Sequence, residues 1–353
     1  MPFAKALTIK DIARRCRVSP ATVSRVLNGF AHVRADTRAR VKQEIRRVGY
    51  RRNGVARSLV LMRTRTLGLV LSDITNPFYA EIARGIEDQA TRYGYTTVLC
   101  STDNLPKRQR EYIQILLERR VDGLILGSVR LREPEVEALA QGEGFPVVLV
   151  NRRLRSSRVD CVVVDNSGGA RQLVEHLIRL GHRQIAHIRG PQQFSTGYDR
   201  FRGYRDTLRA HGLPYDPRLV VAGAFRYADG RAAAHRLLAG PIRPTAIFAA
   251  NDLLALGALE ALAEAGVRVP QEMAVVGFDD VEPSSYRAIG LTTMSQRIAD
   301  MARLAVDLLV ERIERGRRDP RQIVLPSQLV VRRSCGGASE TPQSGDSAGR
   351  TSR

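Results

Sequence analysis

The stretch SPATVSRVLN, Ser19 to Asn28, decides how the N-terminal part of the chain is read. Ser19 is of the helix-capping type, and Pro20 suits the first helical position, where no backbone N–H is needed. Val23, Val26 and Leu27 stand at i, i+3 and i+4 and make one apolar stripe. Thr22, Ser24 and Arg25 fall on the other side, and Ala21 near the start is small. The spacing predicts a short helix that buries one side and presents hydroxyls and a guanidinium on the other.

Working outward, Thr8 can cap a helix from Ile9 to about Arg15 that carries Ile9, Ile12 and Ala13 on one face. A tight connection, CRVS, leads into the short helix. A third helix is expected from about Asp36 to Val48, with Val41, Ile45 and Val48 apolar and Gly49 placed to end it. Two short helices joined by a few residues, with a third to bury them, form a helix-turn-helix arrangement. Its second helix enters the DNA major groove N-terminus first. Arg25 then reaches a guanine edge, and Thr22 and Ser24 bond phosphates.

Charge favours this reading over a generic three-helix bundle. Residues 1–65 hold 17 Lys and Arg against 3 Asp and Glu. The tail 336–353 is neutral, so of the net +20 only +6 is left to the residues between. A basic block with helical periodicity at one end of a near-ordinary protein points to a polyanion partner. At 353 residues and 43% hydrophobic content the chain can bury a sizeable core in more than one domain. No run approaches the roughly 20 apolar residues of a membrane span. MPFAKALTIK lacks the apolar core of a signal peptide, so a cytoplasmic protein is expected. Cys16, Cys100, Cys161 and Cys335 are scattered, which indicates neither a zinc site nor a disulfide framework. His182 and His187 lack a third ligand and read as structural. Ser195 and Ser284 have no nucleophile motif, so no catalytic residue, metal or cofactor is expected.

LTIKDIARRCRVSPATVSRVLNG followed by HVRADTRARVKQEIRRVGYRRNGVARSL resembles the DNA-binding domain and hinge of the lactose-repressor (LacI/GalR) family. The resemblance runs over residues 6–335. It implies base reading by Pro20, Ala21 and Arg25, within a DNA-facing set that also takes in Thr8, Ser19, Thr22, Ser24 and Asn28. One departure is Arg34, where the family commonly has Ser before the third helix, so that helix is expected to be less well capped. Residues 54–62 form a short apolar-patterned segment that contains Arg57 and is flanked by Arg52, Arg63 and Arg65. It is too short to be a stable helix alone and is expected to fold on phosphates. The resemblance places Leu59 as the wedge that enters the minor groove and kinks the duplex.

From Leu67 the pattern changes to strand-length apolar runs: LGLVL, TTVLC, DGLILG, PVVLV, CVVV, IAHI, AIFAA and AVVGF. Amphipathic helical stretches alternate with them, such as Tyr79–Tyr93, Lys107–Arg119, Gly168–Leu180 and Leu253–Ala265. Such alternation means parallel sheets covered by helices on both faces. The expected fold class is therefore α/β: a helical helix-turn-helix domain (1–52), a hinge (53–65) and a two-lobed binding and dimerisation domain (66–335). Lobe one is expected at about 66–165 plus 295–325 and lobe two at about 166–292 plus 326–335. The polar tail 336–353 is expected to be disordered, and it lacks the leucine heptad of a four-chain assembly.

Open parallel sheets bind ligands beyond the carboxyl ends of their strands. There the sequence places Asp73, Asn76, Phe78, Tyr79, Asp103, Asn151, Arg152, Asp165, Asn251, Asp252, Asp279 and Asp280. Amides, carboxylates, guanidinia and aromatic faces suit a polyhydroxylated ligand, although a single polar residue after a strand is as often a helix cap. This region is similar to the periplasmic sugar-binding proteins. The ribose-binding pattern implies effector contacts by Asn76, Phe78, Tyr79, Asn151, Arg152, Arg200, Phe225, Asn251, Asp279 and Gln296, to which the strand-end position of Asp103 is added. The pattern has Asp where this chain has Asn151. That departure disfavours plain ribose and leaves room for a sugar acid or sugar phosphate. Phe194 stands where purine-binding members use arginine, which disfavours a purine.

The implied partners are a pseudo-palindromic double-stranded operator, a small carbohydrate-like effector and a second copy of the chain, with no membrane. The expected function is therefore a sequence-specific DNA-binding transcription regulator, a repressor, whose operator affinity that effector controls, and two rivals stand beside it. One is a sugar-binding transport protein, opposed by the basic N-terminal reader. The other is a carbohydrate-active α/β enzyme, for which no paired acid and base is evident.

Overall fold

A computed structural model describes residues 7–27, 29–30, 32–50, 63–142 and 144–337. The chain separates into two units, 1–64 and 65–353.

In the first unit α1 spans Ile9–Arg15, α2 Pro20–Leu27 and α3 Ala35–Arg47. Thr8 and Asp11 form a capping box: the Asp11 amide donates to Thr8 Oγ1 (3.3 Å) and the Thr8 amide to Asp11 Oδ2 (2.9 Å). Ser19 Oγ accepts the Thr22 amide at 3.1 Å and starts α2. The turn between them passes through Arg17 at φ +50°, a left-handed residue without the help of glycine. No side chain caps α3 at Arg34, as the departure at that position led one to expect. Gly49, at φ +61°, ends that helix, and the Tyr50 amide returns to the Ile45 carbonyl at 3.0 Å. Ile12, Ala13, Cys16, Val23, Val26 and Val41 close one small core. Each fully buried aliphatic of this kind contributes about 1.5–3 kcal/mol, and three short helices stand through that shared burial, not through propensity.

The second unit holds two parallel sheets. β1 (Thr66–Leu71), β2 (Thr96–Ser101), β3 (Gly123–Leu126), β4 (Val147–Val150) and β5 (Asp160–Val164) belong to lobe one. Helices α4 (Pro77–Arg92), α5 (Pro106–Glu118) and α6 (Pro134–Gln141) connect the first four strands. Lobe two follows with α7 (Asn166–Arg179), β6 (Ile185–Arg189), α8 (Ser195–Ala210), β7 (Val220–Ala222), α9 (Tyr227–Leu238), β8 (Ala246–Ala249), α10 (Asp252–Glu264) and β9 (Ala274–Val276). After α11 (Glu282–Ser285) and β10 (Thr293–Ser295) the chain returns to lobe one through α12 (Ile298–Arg315) and β11 (Gln322–Leu325). It ends on β12 (Gln328–Val330).

The lobe-one sheet runs β11-β5-β4-β3-β1-β2 and the lobe-two sheet β7-β6-β8-β9, while β10 and β12 form a two-stranded antiparallel ribbon. In lobe one the chain steps from β1 outward to β2 and then back past it to β3, so a crevice opens at the carboxyl end of β1. Buried residues of β1, α4 and α12 and those of α7, β6 and β8 share one hydrophobic cluster, so the lobes have a common base. Among the described residues no helix is long and apolar enough to cross a membrane.

Candidate functional site

Two surfaces carry chemistry, one on each unit. On α2 the apolar stripe is buried, and Ser19, Pro20, Ala21 and Arg25 are exposed. Thr22 and Ser24 are half-buried beside them. Thr8, Ser19 and Thr22 already spend hydroxyl bonds within the fold, Ser19 Oγ lying 2.9 Å from Thr22 Oγ1. Of the residues expected to face DNA they are therefore the ones that hold the helices, while Pro20, Ala21 and Arg25 are exposed on the surface. Arg38 donates to the Phe30 carbonyl at 2.7 Å and braces the loop after α2. Asn28, Arg57 and Leu59 lie outside the described residues, as do 54–62 and the tail from 338.

In the second unit a cavity of about 400 Å³, mouth included, lies at the facing ends of the two sheets. Asn76, Phe78, Tyr79, Asn151 and Arg152 line it from lobe one, and Arg200, Phe225, Asn251 and Asp279 from lobe two. Several of these side chains hold the backbone and the cavity at once. Asn76 accepts the Phe78 amide at 3.1 Å and caps α4, with Pro77 at the first helical position. Asn251 accepts the Leu254 amide at 3.0 Å, caps α10, and donates to the Phe225 carbonyl at 3.3 Å. Asn76 and Asn251 thus cap a helix and line the cavity at the same time.

Arg200 is fully buried. Its Nε donates to Asn166 Oδ1 (2.7 Å), and Nη1 to the Ala250 carbonyl (2.6 Å) and to Asp279 Oδ1 (3.4 Å). The guanidinium stacks over Phe278 at 3.7 Å. Burial pushes the Asp279 carboxyl up to about 8, despite the pull of Arg200. Arg152 is equally buried; it stacks on Phe194 at 3.7 Å and donates to Asn104 Oδ1 at 2.8 Å. Asn151 donates to the Tyr79 hydroxyl at 3.1 Å.

The backbone is strained here. Asn151 (φ +65°), Phe225 (φ +64°), Asp279 (φ +144°) and Asn104 (φ +59°) all occupy left-handed territory without being glycine. Strain of about 1–3 kcal/mol per residue persists where the surroundings enforce it, as at ligand sites. The Phe225 ring packs on Gly190, where a Cβ would come within 2.2 Å of it, so a larger residue there would displace the ring from the cavity wall. Three buried polar atoms beside the cavity have no hydrogen-bond partner: Asn151 Oδ1, Arg152 Nε and Gln296 Oε1. Each such atom costs about 1–3 kcal/mol.

Two expected contacts fall elsewhere. Asp103 does not line the cavity; it pairs with exposed Arg108, and its neighbour Asn104 lines instead. Consecutive left-handed residues at 103 and 104 turn the first side chain away. Gln296 stands behind the wall, where its Nε2 donates to Asp279 Oδ1, so it orients that carboxyl without lining the cavity. Thr196, Ala224 and Asn104 line the cavity without having been expected. The strand-end rule could have found Asn104, whereas Thr196 sits in the first turn of α8, where no strand-end signal reaches. His187 is structural: its Nδ1 lies 2.8 Å from the Phe248 carbonyl, and its ring packs against those of Tyr204 and Phe248. Ser195 and Ser284 are likewise spent, accepting the Arg153 amide (3.0 Å) and donating to Asp252 (2.6 Å).

A helical unit that presents one short helix outward, followed by two hinged sheets around a polar cavity, defines a ligand-responsive DNA-binding regulator. Residues 8–53 match the family model for bacterial regulatory proteins of the lacI family. Residues 64–333 match that for periplasmic binding proteins and the sugar-binding domain of the LacI family. The chain belongs to the LacI family. It is 36% identical to the ribose operon repressor of Halalkalibacterium halodurans, over 94% of this chain and 97% of that protein. It is also 36% identical to catabolite control protein A of Priestia megaterium, over 93% and 99%. Among solved structures, the Lac repressor dimer bound to operator and the anti-inducer ONPF superposes with a TM-score of 0.84 at 29% identity, covering 94% of this chain and 99% of that one. The complex of the transcriptional regulator CelR with cellobiose gives 0.71 at 36% identity, covering 93% and 99%. The protein is thus a DNA-binding transcriptional repressor under effector control, not an enzyme. Members of this family bind operator DNA and sugar effectors.

Proposed function

We propose that the chain acts as a homodimer on a pseudo-palindromic operator, with α2 of each copy in a major groove and Pro20, Ala21 and Arg25 on the base edges. Thr8, Ser19, Thr22, Ser24 and Asn28 approach the phosphates. Arg57 and Leu59 act at the minor groove. A sugar-like effector sits between the lobes against Asn76, Phe78, Tyr79, Asn151, Arg152, Arg200, Phe225, Asn251 and Asp279, and Gln296 supports it from behind. Its binding changes the angle between the lobes and so the operator affinity, by the 1–3 kcal/mol or so usual for such coupling.

The observation that carries this reading is the pair of unsatisfied atoms, Asn151 Oδ1 and Arg152 Nε, buried at a cavity enclosed by aromatic and hydroxyl-binding side chains. The test is a thermal-shift screen of sugars, sugar acids, sugar phosphates and nucleobases, followed by operator titrations with any hit. A ligand at 100 times its dissociation constant stabilises by about 2.7 kcal/mol. A hit that stabilises the protein and leaves operator affinity unchanged would sink the effector role.

A further inference from the structure

We infer that the effector is a sugar acid, a monoanion whose carboxylate is received by Arg152 and whose neighbouring hydroxyl donates to Asn151. This rests on the effector reading above and narrows it to one charge class.

The argument begins with charge accounting inside the cavity. Arg200 has a carboxylate at 3.4 Å, Asp279, and fills Nε and Nη1 with Asn166 and Ala250 besides. Arg152, buried to the same degree, has no carboxylate within ion-pair distance among the described residues. What holds it is neutral: the Asn104 side-chain oxygen at 2.8 Å, the Ser128 carbonyl at 3.4 Å and the face of Phe194. The groups that attract it are the Tyr79 phenol, which also hydrogen-bonds it, and Glu133, which is committed elsewhere. Its Oε1 accepts both the Arg130 amide and Arg130 Nε at 3.0 Å, and its other oxygen accepts Gln109. Asp73, at the mouth, accepts the Thr75 amide (3.0 Å) and hydroxyl (2.6 Å) on one oxygen and keeps its charge, but it stands beyond ion-pair distance of Arg152. Asp199, on α8, is taken by Arg153.

A buried guanidinium without a counter-ion is unfavourable, and the usual resolution is a paired anion. Among the described residues no carboxylate within ion-pair distance supplies one, which leaves that place to the ligand. The free atoms also have the right polarity. Arg152 Nε is a donor without an acceptor, and Asn151 Oδ1 is an acceptor without a donor. They belong to consecutive residues on one loop, as a carboxylate beside a hydroxyl requires. A side-chain carboxylate at 151 would pair with Arg152 internally and repel an acid; the amide does neither. One uncompensated charge matches a monoanion rather than a phosphate dianion, since the charge of Arg200 is met by Asp279.

The test is calorimetric titration of the full-length protein with matched sets: ribose, ribonate and ribose 5-phosphate; glucose, gluconate, glucuronate and glucose 6-phosphate. The wild type, Asn151→Asp and Arg152→Gln are compared, with circular dichroism to confirm folding. The expected result is that at least one sugar acid binds at least tenfold more tightly than its neutral parent. Asn151→Asp should weaken that acid at least tenfold without weakening the neutral sugar, and Arg152→Gln, where folded, should abolish the preference. A neutral sugar that binds as tightly as its acid would overturn the inference, as would an Asn151→Asp variant with unchanged preference for the acid. Binding by the phosphates alone would overturn the carboxylate assignment and leave the effector reading standing. Silence from every sugar, charged or neutral, would overturn the effector reading and this inference with it.

Discussion

Arg153 holds Asp199 through one guanidinium nitrogen, Nη2, at 3.0 and 2.9 Å from the two carboxylate oxygens. Arg153 follows β4 of lobe one and Asp199 lies on α8 of lobe two, so the pair ties the lobes together at the edge of the cavity. Asp199 is almost fully buried and Arg153 about one-third exposed. Hydrogen bonds of this charged kind contribute about 1.5–3 kcal/mol, less here for the solvent that reaches Arg153. If effector binding requires the lobes in this arrangement, Asp199→Asn should weaken effector affinity by roughly tenfold, since about 1.4 kcal/mol is a factor of ten. Titration of the variant checks this, and unchanged affinity would show that the pair plays no part in closure.

Arg25 is exposed on α2 beside Pro20 and Ala21. Arg25→Ala should cost about 1–3 kcal/mol on the cognate operator and relax preference at one base pair in each half-site. Fluorescence anisotropy on specific and random duplexes measures both. Equal weakening on the two would make Arg25 a phosphate contact.

Arg200 has a structural burden as well as a place in the cavity. Arg200→Ala leaves Asp279 buried without its ion-pair partner and removes bonds to Asn166 and Ala250. We expect a lower melting temperature together with loss of the ligand-induced shift, while Asn76→Ala should lose much of the shift at a smaller stability cost of about 1 kcal/mol for the lost cap. Full ligand shifts in both variants would move the site elsewhere.

Two buried groups push the pH dependence of stability in opposite directions. Burial holds His187 down at about 3, so its contribution is complete above its unfolded value near 6.5 and is lost as pH falls below it. Asp279 is held up at about 8, so its contribution is complete below its unfolded value near 3.9 and is lost as pH rises. Between pH 4.5 and 6.5 the slopes oppose, each at most about 1.4 kcal/mol per pH unit. Relative to wild type, Asp279→Asn should lose stability on acidification from 6.5 to 4.5, and His187→Gln should gain it. Urea midpoints at the two pH values decide the sign, and parallel behaviour of both variants would contradict it.

Leu59 is assigned to the minor groove by family resemblance alone. Leu59→Ala should reduce operator bending in circular-permutation gels and weaken specific binding more than random binding, because the unstacking of a base step costs a few kcal/mol that only the wedge offsets. An unchanged bend would remove Leu59 from that role.

The helical reader was legible residue by residue. Its signals are local: Thr8 and Ser19 cap, Val23 and Val26 repeat at helical spacing, and Gly49 takes the left-handed position that ends α3. Parallel sheets were legible for a similar reason, because strands buried on both faces, such as Leu67–Leu71, must be apolar throughout. The short strands Val220–Ala222, Thr293–Ser295 and Gln328–Val330 carried too few residues for such a signal, and α8, α9 and α12 were not singled out. Most of the cavity could be anticipated, since residues after strand ends converge wherever parallel sheets face each other. What the sequence could not decide was where each side chain points. Asp103 and Asn104 differ by one position, and the left-handed backbone there gives the cavity to the second. Gln296 turned from ligand contact to support for Asp279. That Arg153 finds a carboxylate across the lobes while Arg152, one residue earlier, finds none among the described residues is a fact of long-range packing. Charge pairing at a separation of 46 residues along the chain leaves no local trace, so only the folded structure assigns it.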